Sequence, residues 1–221
     1  NGFWAVPKLY ALSNGDIIDE TTDEADWITI GDFVETPFYR IKFNPDGSMA
    51  SLFDKENDRE WVDGEFNKLK VYEDNPGVYD AWDILPNYKD KEIIPELTKE
   101  LCLLNKDSES AEFTVTVKIG ESKWKRIIRL FRRSRGIEIE NIVDWKERRR
   151  LVKAQYDCNV LTREAVCDTS AGYIKRETHS NTSWQKARFE VCCHKWVDLA
   201  EQGGGVALIN EGKYGVGLCE N

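Results

Sequence analysis

The residues best suited to chemistry lie together in Tyr79-Asp80-Ala81-Trp82-Asp83, directly after the turn-forming Asn75-Pro76-Gly77. A Pro-Gly turn lifts the side chains that follow it out of regular structure, where they can face a ligand instead of a neighbouring strand. The two kinds of side chain gathered there suit a sugar. Aromatic rings stack on the apolar face of a pyranose, and ionised carboxylates accept charge-assisted hydrogen bonds from vicinal hydroxyls. The competing placement is a strand with Trp82 in the core and the aspartates capping turns. Asp80 and Asp83 do not make a hydrolase pair by themselves, because one short stretch gives them no means of flanking a scissile bond.

Other reactive side chains are sparse. His179 and His194 are the only histidines. With a carboxylate, such a pair can open a sugar ring by general acid–base catalysis, as an aldose mutarotase or epimerase does; the plainer role is a hydrogen-bonded structural histidine. Arg188, within Ala187-Arg188-Phe189-Glu190, is a candidate for an ion pair or a sugar contact. There is no Cys-x-x-Cys pair and the two histidines stand fifteen positions apart, so no metal site is expected within the chain. Six cysteines, Cys102, Cys158, Cys167, Cys192, Cys193 and Cys219, read as reduced, buried thiols, since a chain of this length needs no staples to compensate for a small core. Asn181-Thr182-Ser183 fits the glycosylation acceptor pattern, which has meaning only in a secreted protein.

A net charge of −9 and a pI near 5.0 argue against nucleic acid or an anionic membrane surface as partner, and leave neutral sugars open. The basic residues from Lys123 to Arg135 and Arg148 to Arg150, Arg126 and Arg129 among them, read as a solvated sheet face and turn. No apolar run approaches the roughly 18–20 residues that span a bilayer. With 41% hydrophobic and 32% charged residues in 221, the chain folds, and one large domain is the first expectation.

The elements that must position these residues are strands. Phe38 to Phe43 alternates with period two, Asn44-Pro45-Asp46-Gly47 supplies turn chemistry, and Met49 to Asp54 returns as the second arm of a hairpin. Phe113, Val115, Val117 and Ile119 occupy one face of a strand, Gly120-Glu121-Ser122 turns, Trp124 to Phe131 returns, and Ile137 to Val143 adds a third strand, giving a sheet with one wet face. Further strands are predicted over 151–160, 173–178, 189–193 and 206–209, the last after a flexible Gly203-Gly204-Gly205. The one helix-like window, Glu92 to Leu103, is broken by Pro95. The class is all-β, a large antiparallel β-sandwich over residues 36–221, with residues 1–35 as a linker or the remnant of a preceding small β-domain.

Two blocks carry a family resemblance. Phe38-Tyr39-Arg40-Ile41, Asp46-Gly47, Ser51-Leu52-Phe53-Asp54-Lys55 and Asn67-Lys68-Leu69 lead into Glu73-Asp74-Asn75-Pro76 and Tyr79-Asp80-Ala81-Trp82-Asp83-Ile84. Downstream stand Arg176-Glu177-Thr178-His179-Ser180-Asn181-Thr182-Ser183-Trp184, Ala187-Arg188-Phe189-Glu190-Val191, His194-Lys195-Trp196-Val197-Asp198-Leu199, Gly205-Val206-Ala207-Leu208-Ile209-Asn210 and Lys213-Tyr214-Gly215. In order and spacing these resemble the C-terminal domain of glycoside hydrolase family 38 α-mannosidases, most nearly the cytosolic and bacterial branch. The resemblance implies a galactose mutarotase-like supersandwich whose final strands would follow Gly217. It also implies a cytoplasmic retaining enzyme acting on mannose-containing oligosaccharide, in which nucleophile and zinc ligands belong to an N-terminal catalytic domain of the same polypeptide. On that basis this chain carries no catalytic residue and no metal ligand, and Tyr79, Asp80, Trp82, Asp83, Arg188 and His194 are its candidate substrate-binding residues. A homo-oligomer is compatible with the same resemblance. A non-catalytic carbohydrate-binding or domain-interaction module and a stand-alone aldose mutarotase stay open as alternatives.

Overall fold

The computed structural model describes residues 7–10, 27–79, 82–211 and 213–218. The strands run β1 (Pro7–Tyr10), β2 (Thr29–Ile30), β3 (Val34–Glu35), β4 (Tyr39–Phe43), β5 (Met49–Asp54), β6 (Arg59–Glu60) and β7 (Val62–Glu73). A long loop with a 3-10 turn at Tyr88–Lys91 leads to β8 (Glu92–Ile93), then β9 (Glu96–Lys106), β10 (Ser110–Ile119), β11 (Ser122–Phe131), β12 (Gly136–Asp144) and β13 (Arg150–Cys158). The remainder is β14 (Glu164–Thr169), β15 (Gly172–Glu177), a one-turn helix α1 (Ser183–Lys186), β16 (Val191–Cys192), β17 (Trp196–Glu201), β18 (Gly204–Asn210) and β19 (Gly215–Val216).

These form a nine-stranded sheet in the order β15-β14-β17-β18-β1-β12-β11-β10-β9 and an eight-stranded sheet β13-β7-β5-β4-β3-β2, to which β6 and β8 add at β5 and β7. A separate ribbon pairs β16 with β19. The sheets stack face to face because alternation aims one row of apolar side chains from each at the other. Ile41, Met49, Leu52 and Phe66 of the smaller sheet share one core with Phe113, Ile128, Leu130 and Ile139 of the larger, and the Phe43 and Phe113 rings lie 5.7 Å apart. The class read from periodicity, an all-β sandwich, is the class observed.

The hairpin expected at Asn44-Pro45-Asp46-Gly47 forms there, closed by Asn44 N–H to the Ser48 carbonyl at 2.8 Å. Gly47 is required twice over: its φ is +78°, and a Cβ on it would stand 2.9 Å from Val115 Cγ1. Asp54, at the end of β5, is 1% exposed and accepts hydrogen bonds from Arg135, from the Asn57 side chain at 2.8 Å and from Trp61 Nε1 at 3.3 Å. The Arg135 guanidinium is flanked by the rings of Phe38 and Tyr39. Residues 27–35, placed outside the sandwich by the sequence reading, contribute β2 and β3 to the smaller sheet and Trp27 and Ile28 to the shared core.

Four local expectations are corrected. The outer face of β10 and β11 is not uniformly wet, since Thr114, Thr116 and Ile127 on it are buried. Arg126 belongs to no solvated face, for it faces inward between the sheets. There its Nη2 donates to the Asn67 backbone carbonyl at 2.8 Å and to Asn67 Oδ1, while Asn67 Nδ2 donates to the Gly47 carbonyl at 3.2 Å. Period two predicts the direction of a side chain but not its charge, and a guanidinium is long enough to reach a backbone carbonyl on the facing sheet. Two of the three glycines are tightly packed, where Gly203 has open space: a Cβ on Gly205 would meet the Leu199 carbonyl at 2.4 Å, and one on Gly204 would meet the Trp61 ring at 2.8 Å. Finally, the cysteines in the described residues are all free thiols, but Cys102 and Cys192 are exposed while Cys167 and Cys193 are buried.

Candidate functional site

At the end of β7 the chain leaves the sheet with Asp74 N–H bonded to the Arg149 carbonyl at 2.9 Å. Five residues on, Tyr79 adopts a left-handed backbone, φ +60°, a conformation that costs a bulky residue on the order of 1–3 kcal/mol. Its carbonyl accepts from both Trp82 N–H at 2.8 Å and Asp83 N–H at 3.0 Å. The tight turn so made throws its side chains outward. Trp82 is 91% exposed and Tyr79 73%, and Asp83 is exposed as well. The core placement of Trp82 is therefore excluded, because the turn closes through backbone groups and leaves the indole no sheet to lie in. Asp80 lies outside the described residues.

Tyr88 anchors the stretch. Among the described residues of 74–91, Tyr88 is the only buried one. Its ring packs edge-on against Tyr72 of β7, with centroids 5.0 Å apart, and lies 6.4 Å from the ring of Phe189. Its hydroxyl donates to Glu190 Oε1 at 3.2 Å, and Glu190 in turn pairs with Lys153 of β13, whose Nζ sits 5.2 Å from the Tyr88 centroid. Two surface stretches distant in sequence thus meet on the outer side of the smaller sheet. One carries Tyr79, Trp82 and Asp83, and the other carries the exposed Arg188 two residues before Glu190.

His194 lies further along the second stretch. The ribbon pairs Val191 with Val216 and Cys192 with Gly215, which sets the half-buried His194 ring edge-on to Tyr214 at 5.2 Å. In the residue before Tyr214, burial pulls the Lys213 amine below its ordinary basicity, with Glu211 opposing. His179 meets a different partner, the Asn181 side chain at 3.4 Å. The described candidates therefore lie on the two stretches joined at Tyr88 and Glu190, with His194 packed on Tyr214. Among the described residues no group of three or more His, Cys, Asp or Glu side chains is gathered to hold a metal ion.

Tyr88, Lys153 and Glu190 were not singled out from sequence. Glu190 stands inside a quoted motif, yet its partners lie 37 and 102 residues away, and no local pattern announces them.

Two stacked antiparallel sheets carrying a long surface loop with presented aromatic rings define a large β-sandwich domain. The Glycosyl hydrolases family 38 C-terminal domain matches residues 34–221, and the chain belongs to that family. It is 32% identical to Alpha-mannosidase G of Dictyostelium discoideum, over 82% of this chain and 17% of that protein. It is 30% identical to Alpha-mannosidase 2C1 of Homo sapiens, over 81% of this chain and 18% of the relative. The chain thus spans less than a fifth of these curated relatives. In fold it is similar to the crystal structure of an alpha-mannosidase from Enterococcus faecalis V583, with a TM-score of 0.65 at 12% identity, covering 84% of this chain and 24% of the other. No helix among the described residues is long and apolar enough to cross a membrane.

Proposed function

We propose that this chain is the C-terminal sandwich of a retaining, zinc-dependent α-mannosidase that hydrolyses α-linked mannose in the cytoplasm. In this reading the nucleophile and the zinc ligands sit in an N-terminal catalytic domain of the same polypeptide, and this domain braces it and forms one wall of the substrate cleft. The observation that carries the cleft role is Trp82, a large aromatic ring 91% exposed on a turn fixed by two backbone hydrogen bonds. An exposed indole with a carboxylate beside it is the pairing that stacks on a pyranose and accepts its hydroxyls. Chemically, the chain's residues bind and orient the sugar; no bond is broken by them. The isolated chain is therefore expected to hydrolyse no α-mannoside.

The test uses the full-length enzyme. Removing the Asp83 charge by Asp83→Asn takes away a charge-assisted hydrogen bond of about 1.5–3 kcal/mol, which lowers kcat/KM roughly tenfold to a hundredfold. Trp82→Ala lowers kcat/KM by a similar order. Neither should move stability by more than about 0.5 kcal/mol, since both side chains are exposed. Unchanged kinetics in both variants would sink the cleft role, and chelator-sensitive mannoside turnover by the isolated chain would sink the division of labour.

A further inference from the structure

We infer that Tyr88 and Glu190 are positioning residues, forming a latch that sets the height and direction of the Trp82 turn for substrate; this rests on the cleft role proposed above. The chain from Asp74 to Lys91 leaves the smaller sheet and returns to it, and Tyr88 is the only buried residue among those described in that stretch. A loop of this length with one buried anchor has its tip placed by that anchor, because each unanchored residue adds backbone freedom that would spread the tip over many positions.

The anchor has two independent components. The Tyr88 ring is enclosed by Tyr72 below and Phe189 alongside, which fixes its depth. The hydroxyl bond to Glu190 Oε1 at 3.2 Å fixes its rotation, and Glu190 is itself held by Lys153. Glu190 is hemmed in from a second side: a Cβ added to Gly217 would stand 3.2 Å from its Oε1. The latch also fixes Arg188, which precedes the same Phe189-Glu190 pair. Trp82 and Arg188, from stretches about a hundred residues apart, are thereby held in one relative arrangement. A ligand met by both would feel any loosening of the latch as lost binding, not as lost chemistry.

The experiment measures kcat and KM of the full-length enzyme for an aryl α-mannoside in Tyr88→Phe, Glu190→Gln, Trp82→Ala and the two doubles that combine a latch variant with Trp82→Ala. Tyr88→Phe keeps the packed ring and removes only the hydroxyl; Glu190→Gln keeps the shape and removes the charge. Each latch variant should raise KM about three- to tenfold with kcat within about twofold, the pattern of lost uniform binding. Each should add less loss in the Trp82→Ala background than it causes alone, because only the Arg188 side of the latch is left to act on. Full additivity in the doubles, or an unchanged KM in both latch variants while Trp82→Ala raises it, would overturn the latch and leave the cleft role standing. A Trp82→Ala enzyme with unaltered kinetics would remove the cleft role and the latch together. If Tyr88→Phe fails to accumulate, Glu190→Gln alone decides by the same comparison.

Discussion

The Asp54 carboxylate accepts hydrogen bonds from Arg135, Asn57 and Trp61, and it gives up the charge-assisted part of that network only by taking on a proton. Burial pushes its pKa up, but the hydrogen bonds from Arg135 and Asn57 win and hold it below the usual carboxylate range. A folded-state value below the unfolded one means stability that is present above about pH 3.9, the unfolded value, and is lost as pH falls through the folded value. Asp54→Asn should therefore cost about 3 kcal/mol at pH 7, the lower end for breaking a buried pair, since Arg135 retains Glu56 as a second partner. Urea melts of both proteins should converge as the pH drops below that range; a gap that stays constant would refute the ionic account. At this scale the sequence was legible where function needs local geometry. A Pro-Gly turn followed by Tyr79, Trp82 and Asp83 announces side chains leaving a sheet. It was not legible for Tyr88, Glu190 and Arg126, whose meaning depends on partners brought from far along the chain.

Among the elements, β10 was readable because its ten alternating positions leave no other period that hides Phe113, Val115, Val117 and Ile119, whereas β7 and β9, the longest strands, were not, β9 lying largely in the window that reads as helix. Two short ones were not either: β14 and β17 lack a clear alternation of their own, and their pairing with each other and with β15 and β18 makes them strands. Helix α1 did leave a signature, since Thr182 and Gln185 form a capping box in which each side chain meets the other's backbone, but one turn of helix has no hydrophobic period to read. The β17–β18 hairpin offers a direct test of packing against freedom. Gly205→Ala should cost about 1–3 kcal/mol through its clash with the Leu199 carbonyl, as overpacking does elsewhere. Gly31→Ala, where a Cβ meets nothing within 4 Å, should stay within about 0.5 kcal/mol of wild type. Equal denaturation midpoints for the two variants would show that the triplet is the flexible connector the sequence suggests.

For the whole molecule, the two sheets are joined mainly by apolar contact, with polar ties at Asp54–Arg135 and Arg59–Glu201 and, deep in the interior, from Arg126 to Asn67. The Arg126 guanidinium is buried with Nε unpartnered, and burial draws its pKa downward. Arg126→Met fits the same space and takes the Arg126 donor from the buried Asn67 backbone carbonyl, leaving Oδ1 only the Tyr156 hydroxyl at 3.4 Å, so a loss of about 1–3 kcal/mol is expected. An unchanged or raised melting temperature would mean that the tie is dispensable for stability. The sandwich class was legible because the strongest segments, β4 and β10 among them, alternate. Which strand joins the two halves of the larger sheet was not, because pairing across the full length of the chain leaves no local trace. That strand is β1, which lies between β12 and β18 and pairs Pro7 with Asn210. During synthesis the earliest of the described strands has one neighbour in place once β12 emerges, and then waits for roughly another 70 residues, about 4–14 s at 5–20 residues per second, before its second edge can be covered. Until then it is an exposed strand edge on the ribosome, and chaperone contact in that interval is where the timing of this fold would be felt.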